Sequence, residues 1–205
     1  MGSNALGSVQ EETKVTVCPW KPGMKLMQPL EGRYVSLRTA EESDAEFILS
    51  LRLDPKLSRF LKKTDPNVEK QRDWIRSKIA QEGDYHMIVE DTGKGEPVGV
   101  IAIYDIRDGV FEIGRWIIEP GKPVSVAIES FYLAYRLAFD ELGLQVTESK
   151  VRLDNRTVLE FHQRYGAELM KSDDLYAYVR YDRNAFQSET SFFRRYGRAL
   201  GFLKG

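Results

Sequence analysis

From Arg33 the chain alternates, with Val35 and Leu37 facing one way and Tyr34, Ser36 and Arg38 the other, which predicts a half-buried strand. The apolar spacing then becomes helical. Ser43-Asp-Ala-Glu46 has the form of a capping box, in which the serine accepts a first-turn amide and Glu46 reaches back; Phe47, Ile48 and Leu51 follow as the stripe of a helix. Asp65-Pro66 predicts a second helix start, because a proline's missing N–H costs nothing in a first turn, and Trp74, Ile75 and Ile79 mark its inner face before Gly83. Strand spacing returns over 85–90, 98–104 and 110–118, separated by Thr92-Gly-Lys-Gly-Glu-Pro97 and Arg107-Asp-Gly109. Connections that short favour an antiparallel meander.

Between 124 and 142 the polar residues gather at Glu129, Arg136 and Asp140, which predicts a deeply packed helix with a narrow solvent stripe, ended by Gly143. A strand over 146–153 follows, and a strand-helix-strand order of this length calls for a right-handed crossover between parallel neighbours. Asp154 or Asn155 caps a short helix over 156–165, Gly166 ends it, and 167–171 with 175–181 make a hairpin around Ser172-Asp-Asp174. The predicted order is β-α-α-β-β-β-α-β-α-β-β: a mixed α/β fold whose mostly antiparallel sheet holds one parallel pair. The layout is an irregular extension over 1–30, composed at Met1–Ser8 like an added tag, one domain over 31–182, and a tail over 183–205.

Composition narrows the chemistry. With 205 residues, 42% hydrophobic and 30% charged, the chain has enough apolar mass for one core. Lys and Arg total 30 against 31 Asp and Glu, so there is no global basic field to hold a polyanion, and nucleic acid is not expected as a partner. No apolar run approaches the ~20 residues that cross a bilayer, and the start has no signal-peptide pattern, so a cytoplasmic protein with no membrane partner is expected. One cysteine, Cys18, and two histidines, His86 and His162, point to neither a disulfide nor a metal site. The tail carries aromatics at 186, 192, 193 and 196 beside Arg194, Arg195 and Arg198, and is expected to dock on its own domain or on a second subunit of a homodimer; a membrane-surface helix is the weaker reading, since two glycines interrupt it.

In an open sheet with a parallel pair, a ligand belongs at the carboxyl ends of those strands, beside the start of the crossover helix. The stretch there is Ile117-Ile-Glu-Pro-Gly-Lys-Pro-Val-Ser-Val-Ala127. Unpaired amides of Val124, Ser125, Val126 and Ala127 suit a pyrophosphate, and Lys122 adds a formal charge. The alternative is an ordinary loop.

The element order resembles the GCN5-related N-acetyltransferase (GNAT) family from about Arg33 to Tyr181, as do Glu112-Ile-Gly-Arg-Trp-Ile-Ile118 on a strand and Asp154-Asn-Arg-Thr-Val-Leu-Glu-Phe-His-Gln-Arg-Tyr-Gly166 on a strand-to-helix passage. The resemblance implies a three-layer fold with a splayed parallel strand pair and acetyl-CoA as co-substrate, without a metal. The family's pyrophosphate signature, Q/R-x-x-G-x-G/A, becomes Lys122-Pro-Val-Ser-Val-Ala127. Here Lys122 stands for Arg or Gln, Ser125 for the first Gly, and Pro123 removes one donor. The family's Asn that contacts the pantetheine arm corresponds to Asn155, and the Tyr that protonates the leaving thiolate corresponds to His162, with Tyr165 as the competing acid. The backbone of Trp116, Ile117 and Ile118 is expected to bond the pantetheine arm as a strand would, and an amide there to serve the oxyanion.

Amide formation needs a neutral amine. A carboxylate can take the ammonium proton, directly or through water, and Glu112 is the first candidate, with Asp105 and Glu119 behind it; a solvated strand residue is the alternative for Glu112. For the acceptor, Arg52-Leu-Asp-Pro55 and Gln71-Arg-Asp-Trp-Ile75 are similar to family members that acetylate nucleotide-linked amino sugars. That resemblance gives Arg52 and Arg59 a diphosphate to meet and Trp74 a sugar or base to support; helical spacing alone makes Trp74 a core anchor. Three functions are carried forward. The first is acetyl transfer from acetyl-CoA to a small-molecule primary amine, the second a protein N-terminal acetyltransferase resembling the ribosomal-protein modifiers, and the third an inactive coenzyme-binding or scaffold module. Converging arginines favour the first and an open acidic groove the second.

Overall fold

The computed structural model describes Leu26 and residues 28–203. The expected extension over 1–30 lies mostly outside the described residues. Its last part is tied down: the Leu26 amide donates to Thr39 Oγ1 at 2.8 Å, and Leu30–Glu31 forms a two-residue strand, β1, against the next one. That next strand is β2 (Val35–Thr39), followed by α1 (Ala45–Leu53), α2 (Val68–Ala80), β3 (Tyr85–Asp91), β4 (Glu96–Arg107) and β5 (Val110–Ile118). Then come α3 (Val124–Tyr135), β6 (Val146–Arg152), α4 (Arg156–Arg164), β7 (Glu168–Ser172), β8 (Tyr176–Asp182), α5 (Arg183–Gln187) and α6 (Phe192–Ala199). The strands lie in the order β1-β2-β3-β4-β5-β6-β8-β7, and every neighbouring pair is antiparallel except β5–β6. The predicted sheet and its parallel pair are therefore present.

Period-two alternation sorts the sheet's side chains onto two faces. Met87 and Val89 of β3 join a core under α3, whereas Ile88 joins a smaller core under α1 and α2 that holds Ile48, Leu51 and Ile75. The tail belongs to the larger core. Phe186 of α5 and Phe193 of α6 are buried against Tyr132 and Tyr135 of α3, so residues 183–203 pack on their own domain. No described helix is long and apolar enough to cross a membrane.

Four expectations are corrected. The cap before α1 is not Ser43–Glu46 but lies earlier: Asp44 accepts from the Glu41 amide at 2.7 Å and is buried against Arg38. The second helix starts at Asn67, whose side chain accepts from the Lys70 amide, while Asp65 turns outward to pair with Lys70 at 2.5 Å. Glu129 is no solvent-stripe residue. It is fully buried, and its carboxylate accepts the backbone N–H groups of Arg33, Tyr34 and Val35 at 3.0, 2.6 and 2.8 Å, tying α3 to the start of β2. A Cβ at Gly32 would come within 2.3 Å of the Val35 carbonyl and 2.8 Å of the Glu129 carboxyl carbon, so only glycine fits that turn. The helix expected over 124–142 is α-helical to Tyr135 and a π-helical turn over Arg136–Glu141.

Candidate active site

The parallel pair is short. β5 and β6 are in register only at Val110↔Val146 and Phe111↔Thr147, and the Ser149 hydroxyl on the Ile113 carbonyl at 3.2 Å is the last link. Beyond it lies a cavity of about 800 Å³, a volume suited to a small-molecule ligand, between these strands, α2 and α4. Two local features accompany the parting. β5 bulges: its partners on β4 step from Val100↔Ile117 to Ala102↔Gly114, and Arg115 sits at φ +50°. Trp116 is held away from β6 by its indole N–H on Ser130 Oγ at 3.2 Å and by Phe131 and Phe161, at ring separations of 4.5 and 5.0 Å.

A left-handed conformation costs a residue with a Cβ about 1–2 kcal/mol, and Arg115 is held there by what its side chain reaches. The guanidinium meets both oxygens of buried Asp84 at 2.6 and 2.9 Å and lies over the rings of Tyr104 at 4.2 Å and Trp74 at 5.3 Å. Tyr104 in turn donates its hydroxyl to the Glu112 carboxylate at 2.5 Å, and both face the cavity. Burial and the Glu112 carboxylate push the Tyr104 phenol far up, so it stays a donor. A Cβ on Gly114 would meet the Tyr104 oxygen at 2.5 Å, so the glycine leaves room for this pair. Asp84, Arg115 and Tyr104 were not picked out in the sequence; the break in alternation at Gly114-Arg115 is the only trace they leave there.

Of the expected site residues, Glu112, Trp116, Asn155, His162, Arg52 and Trp74 line this cavity. Asn155 is the residue before α4, yet its side chain makes no capping bond. His162 is 7% exposed, packed edge-on to Phe131 at 5.6 Å, and burial pushes its imidazole down to about 4. At pH 7 the imidazolium is then about a thousandth of the population, so the resting side chain is a neutral donor or acceptor. Tyr165 is not on the wall: it packs on Phe161, Phe192 and Phe193 at the tail. Asp105 and Glu119 are also off the wall, Asp105 paired with Arg107 and Glu119 with Lys122. Arg59 is exposed beside Phe60 rather than facing the cavity. Trp74 answers both readings, packing edge-on to buried His86 at 5.1 Å and facing the cavity.

The start of α3 suits a phosphate. Pro123 is its N-cap with no side-chain cap bond, no acidic residue stands in the first turn, and Val124 is 69% exposed. The Val126 amide is taken by the Pro123 carbonyl at 3.0 Å and its side chain is buried, which leaves Val124 and Ser125 as the free backbone donors; Ala127 is half-buried behind them. Lys122 reaches Glu119 at 3.1 Å. Ile117 and Ile118 are paired with Val100 and Gly99 of β4, so only their β6-facing edge is open.

Charge sorts unevenly over the cavity. Arg52, Lys62, Lys63, Lys70, Lys78 and Arg115 line the α2 side and Lys150 and Arg152 the other, against Asp65 and Glu112. Lys70 is paired with Asp65, Arg115 and Lys78 with Asp84 and Arg152 with Asp154, which leaves Arg52, Lys62, Lys63 and Lys150 without a carboxylate partner among the described residues. The wall is basic in a protein whose formal net charge is -1.

Comparison with known proteins agrees with this geometry. No curated protein sequence matches the chain. Among solved structures, apo FdhC, described as a nucleotide-linked sugar GNAT, superposes with a TM-score of 0.74 at 29% identity, covering 86% of this chain and 100% of its own. A GCN5-related N-acetyltransferase from Brucella melitensis gives 0.66 at 19% identity, covering 82% of this chain and 88% of its own. A variant of the spermidine N-acetyltransferase SpeG from Vibrio cholerae gives 0.65 at 15%, covering 77% and 99%. The family model for the GNAT acetyltransferase domain matches residues 35–168, which run from the start of β2 to the first residue of β7 and hold the parted β5–β6 pair and nearly all of the cavity lining. The chain belongs to the GNAT acetyltransferase family.

Proposed function

We propose that this protein transfers an acetyl group from acetyl-CoA to the primary amine of a small, phosphate-bearing molecule, a nucleotide-linked amino sugar. The observation that carries the reading is Glu112, held by Tyr104 on the wall of a cavity whose other charged residues are mostly cations. The residues present suit the coenzyme: the free amides of Val124 and Ser125 and the Lys122 ammonium for its pyrophosphate, the open edge of β5 and the Asn155 side chain for its pantetheine arm. When bound, the coenzyme supplies a thioester, an acyl group already activated towards an amine.

The chain's own residues do the rest. Glu112 takes the proton from the acceptor's ammonium, directly or through a water, while Tyr104 fixes the carboxylate's orientation. His162, neutral at pH 7, can offer the departing thiolate a hydrogen bond from its ring N–H but not a proton, which the thiolate takes from solvent. The aromatic cluster of Trp116, Phe131 and Phe161 shields that end of the cavity from water. Arg52, Lys62 and Lys63 supply the field that draws an acceptor carrying phosphate and disfavours a polycation such as a polyamine. The same field opposes the open acidic groove expected of a peptide amino-terminus reader. FdhC, as a nucleotide-linked sugar enzyme, supports the same choice.

Screening UDP- and TDP-amino sugars, polyamines and amino-terminal peptides for thiol release from acetyl-CoA tests this. Turnover of an amino-sugar nucleotide with a kcat/KM at least tenfold above any polyamine or peptide is expected. Preference for a polyamine would overturn it, and no release with any amine would favour the scaffold reading.

A further inference from the structure

Gln71, in the first half of α2, is 6% exposed and faces the cavity, yet its side-chain Nε2 has no hydrogen-bond partner among the described residues. Removing an amide N–H from water without a partner is unfavourable, so the position makes physical sense when an acceptor atom arrives with a ligand. Arg52, at the end of α1 and on the same wall, is in the complementary situation. Its Nε donates to Thr64 Oγ1 at 2.8 Å, and no carboxylate among the described residues pairs with its guanidinium. The nearby buried carboxylate, Asp84, is already taken by Arg115 at 2.6 Å and approached by Lys78 at 3.8 Å. Burial and the Arg115 charge both push the Arg52 guanidinium down, as expected of a half-buried cation lacking a counter-ion. Lys62 and Lys63, with no carboxylate partner among the described residues, add charge to the same rim.

We infer that Gln71 and Arg52 together form a phosphate subsite for the acceptor, the Gln71 amide donating to one phosphate oxygen and the Arg52 guanidinium to others, separate from the start of α3 that suits the coenzyme's pyrophosphate. A fork of guanidinium donors fits a phosphate group, and the surplus of cations over Glu112 asks for a ligand with more than one negative charge. Neither a carboxylate-bearing amine nor a neutral sugar supplies that. The inference rests on reading this cavity as the acceptor site of an acetyltransferase.

Titration calorimetry on the full chain separates the two sources of phosphate, with UDP and TDP as acceptor-side probes and coenzyme A as the other. UDP or TDP is expected to bind the wild type. Gln71→Met is expected to weaken that binding about 10- to 100-fold, the loss of one hydrogen bond to a charged group, while the coenzyme A affinity moves less than twofold. Arg52→Met is expected to weaken it at least as much. Because the amide is orphaned in the ligand-free protein, Gln71→Met is also expected to leave Tm unchanged or raised, which a purely structural glutamine would not do. The inference is overturned if neither diphosphate binds, or if coenzyme A affinity falls in parallel, which would assign the pair to the coenzyme. Failure of the transferase reading looks different: diphosphate binding intact and sensitive to Gln71, with no thiol released from acetyl-CoA by any amine.

Discussion

Glu112 sits at the meeting point of an acid-base requirement and a packing arrangement. On a half-exposed strand it reads as a solvated residue, but the Tyr104 hydroxyl at 2.5 Å aims its carboxylate into the cavity. Glu112→Gln is therefore expected to lower kcat at pH 7 by about 10²- to 10⁴-fold while coenzyme A still binds, as rapid-quench and titration measurements would show. Tyr104→Phe removes the orienting bond but keeps the ring under Arg115, so a smaller loss, about 10-fold, is expected. His162 makes a different prediction. With its imidazole at about 4, it should contribute no inflection to the kcat/KM profile between pH 6 and 8. An inflection near 6.5 that disappears in His162→Asn would show the burial argument to be wrong.

At the level of elements, the bulge in β5 decides where the chemistry is. It turns Arg115 onto Asp84 and the two rings and leaves the β6-facing edge of β5 open, and Gly114 is where the bulge leaves room for Tyr104. Gly114→Ala should push the Tyr104 hydroxyl off Glu112 and bring kcat down to about the Tyr104→Phe level, with the circular dichroism spectrum unchanged. Glu129 illustrates a structural counterpart. Its three amide bonds join α3 to the β2 start, and Glu129→Ala, which leaves buried donors unpaired, is expected to cost about 3 kcal/mol or more in urea unfolding. The hydrophobic pattern could not anticipate this, because a polar residue on an otherwise apolar helix reads the same whether it meets water or three peptide N–H groups. The cap misplaced at Ser43 has a related cause: Asp44 is a better partner than Ser43 only because Arg38, on a neighbouring strand, is there to meet it.

For the whole molecule, charge is a matter of distribution. A net charge of -1 gives the molecule no global basic field, yet the cavity concentrates cations, so the KM for a phosphate-bearing acceptor should rise several-fold between 50 and 500 mM salt. Acid stability follows from the two histidines. His86 is held down to about 3 by burial and the neighbouring Arg115 and Arg52 charges, and His162 to about 4 by burial, both from an ordinary 6.5. Below pH 6.5 the unfolded chain binds protons that the native state refuses, so the stabilisation is complete above 6.5 and is lost as pH falls towards 4, at about 1.4 kcal/mol per pH unit for each histidine. His86→Leu, which removes two ring nitrogens without partners, should abolish about half of that slope between pH 6 and 5 in urea titrations.

What the sequence determined by itself is local and periodic: the strands and helices in order, the parallel pair forced by a helical crossover, and the family resemblance carried by Glu112–Ile118 and Asp154–Gly166. Glu112 could be named because its strand borders the parallel pair, whereas Asn155, His162 and Arg52 were named through the family resemblance, and all four line the cavity. Gln71 and the chain from Asp84 through Arg115 to Tyr104 were not. Their roles arise where α2 and three strands converge, and a hydrogen bond across 31 residues, such as that from Arg115 to Asp84, leaves no period in the sequence. Tertiary structure also decided which of two neighbouring side chains faces the cavity, giving it His162 and turning Tyr165 into the aromatic packing of the tail, because the angle at which a helix sits on its sheet is set by everything packed behind it.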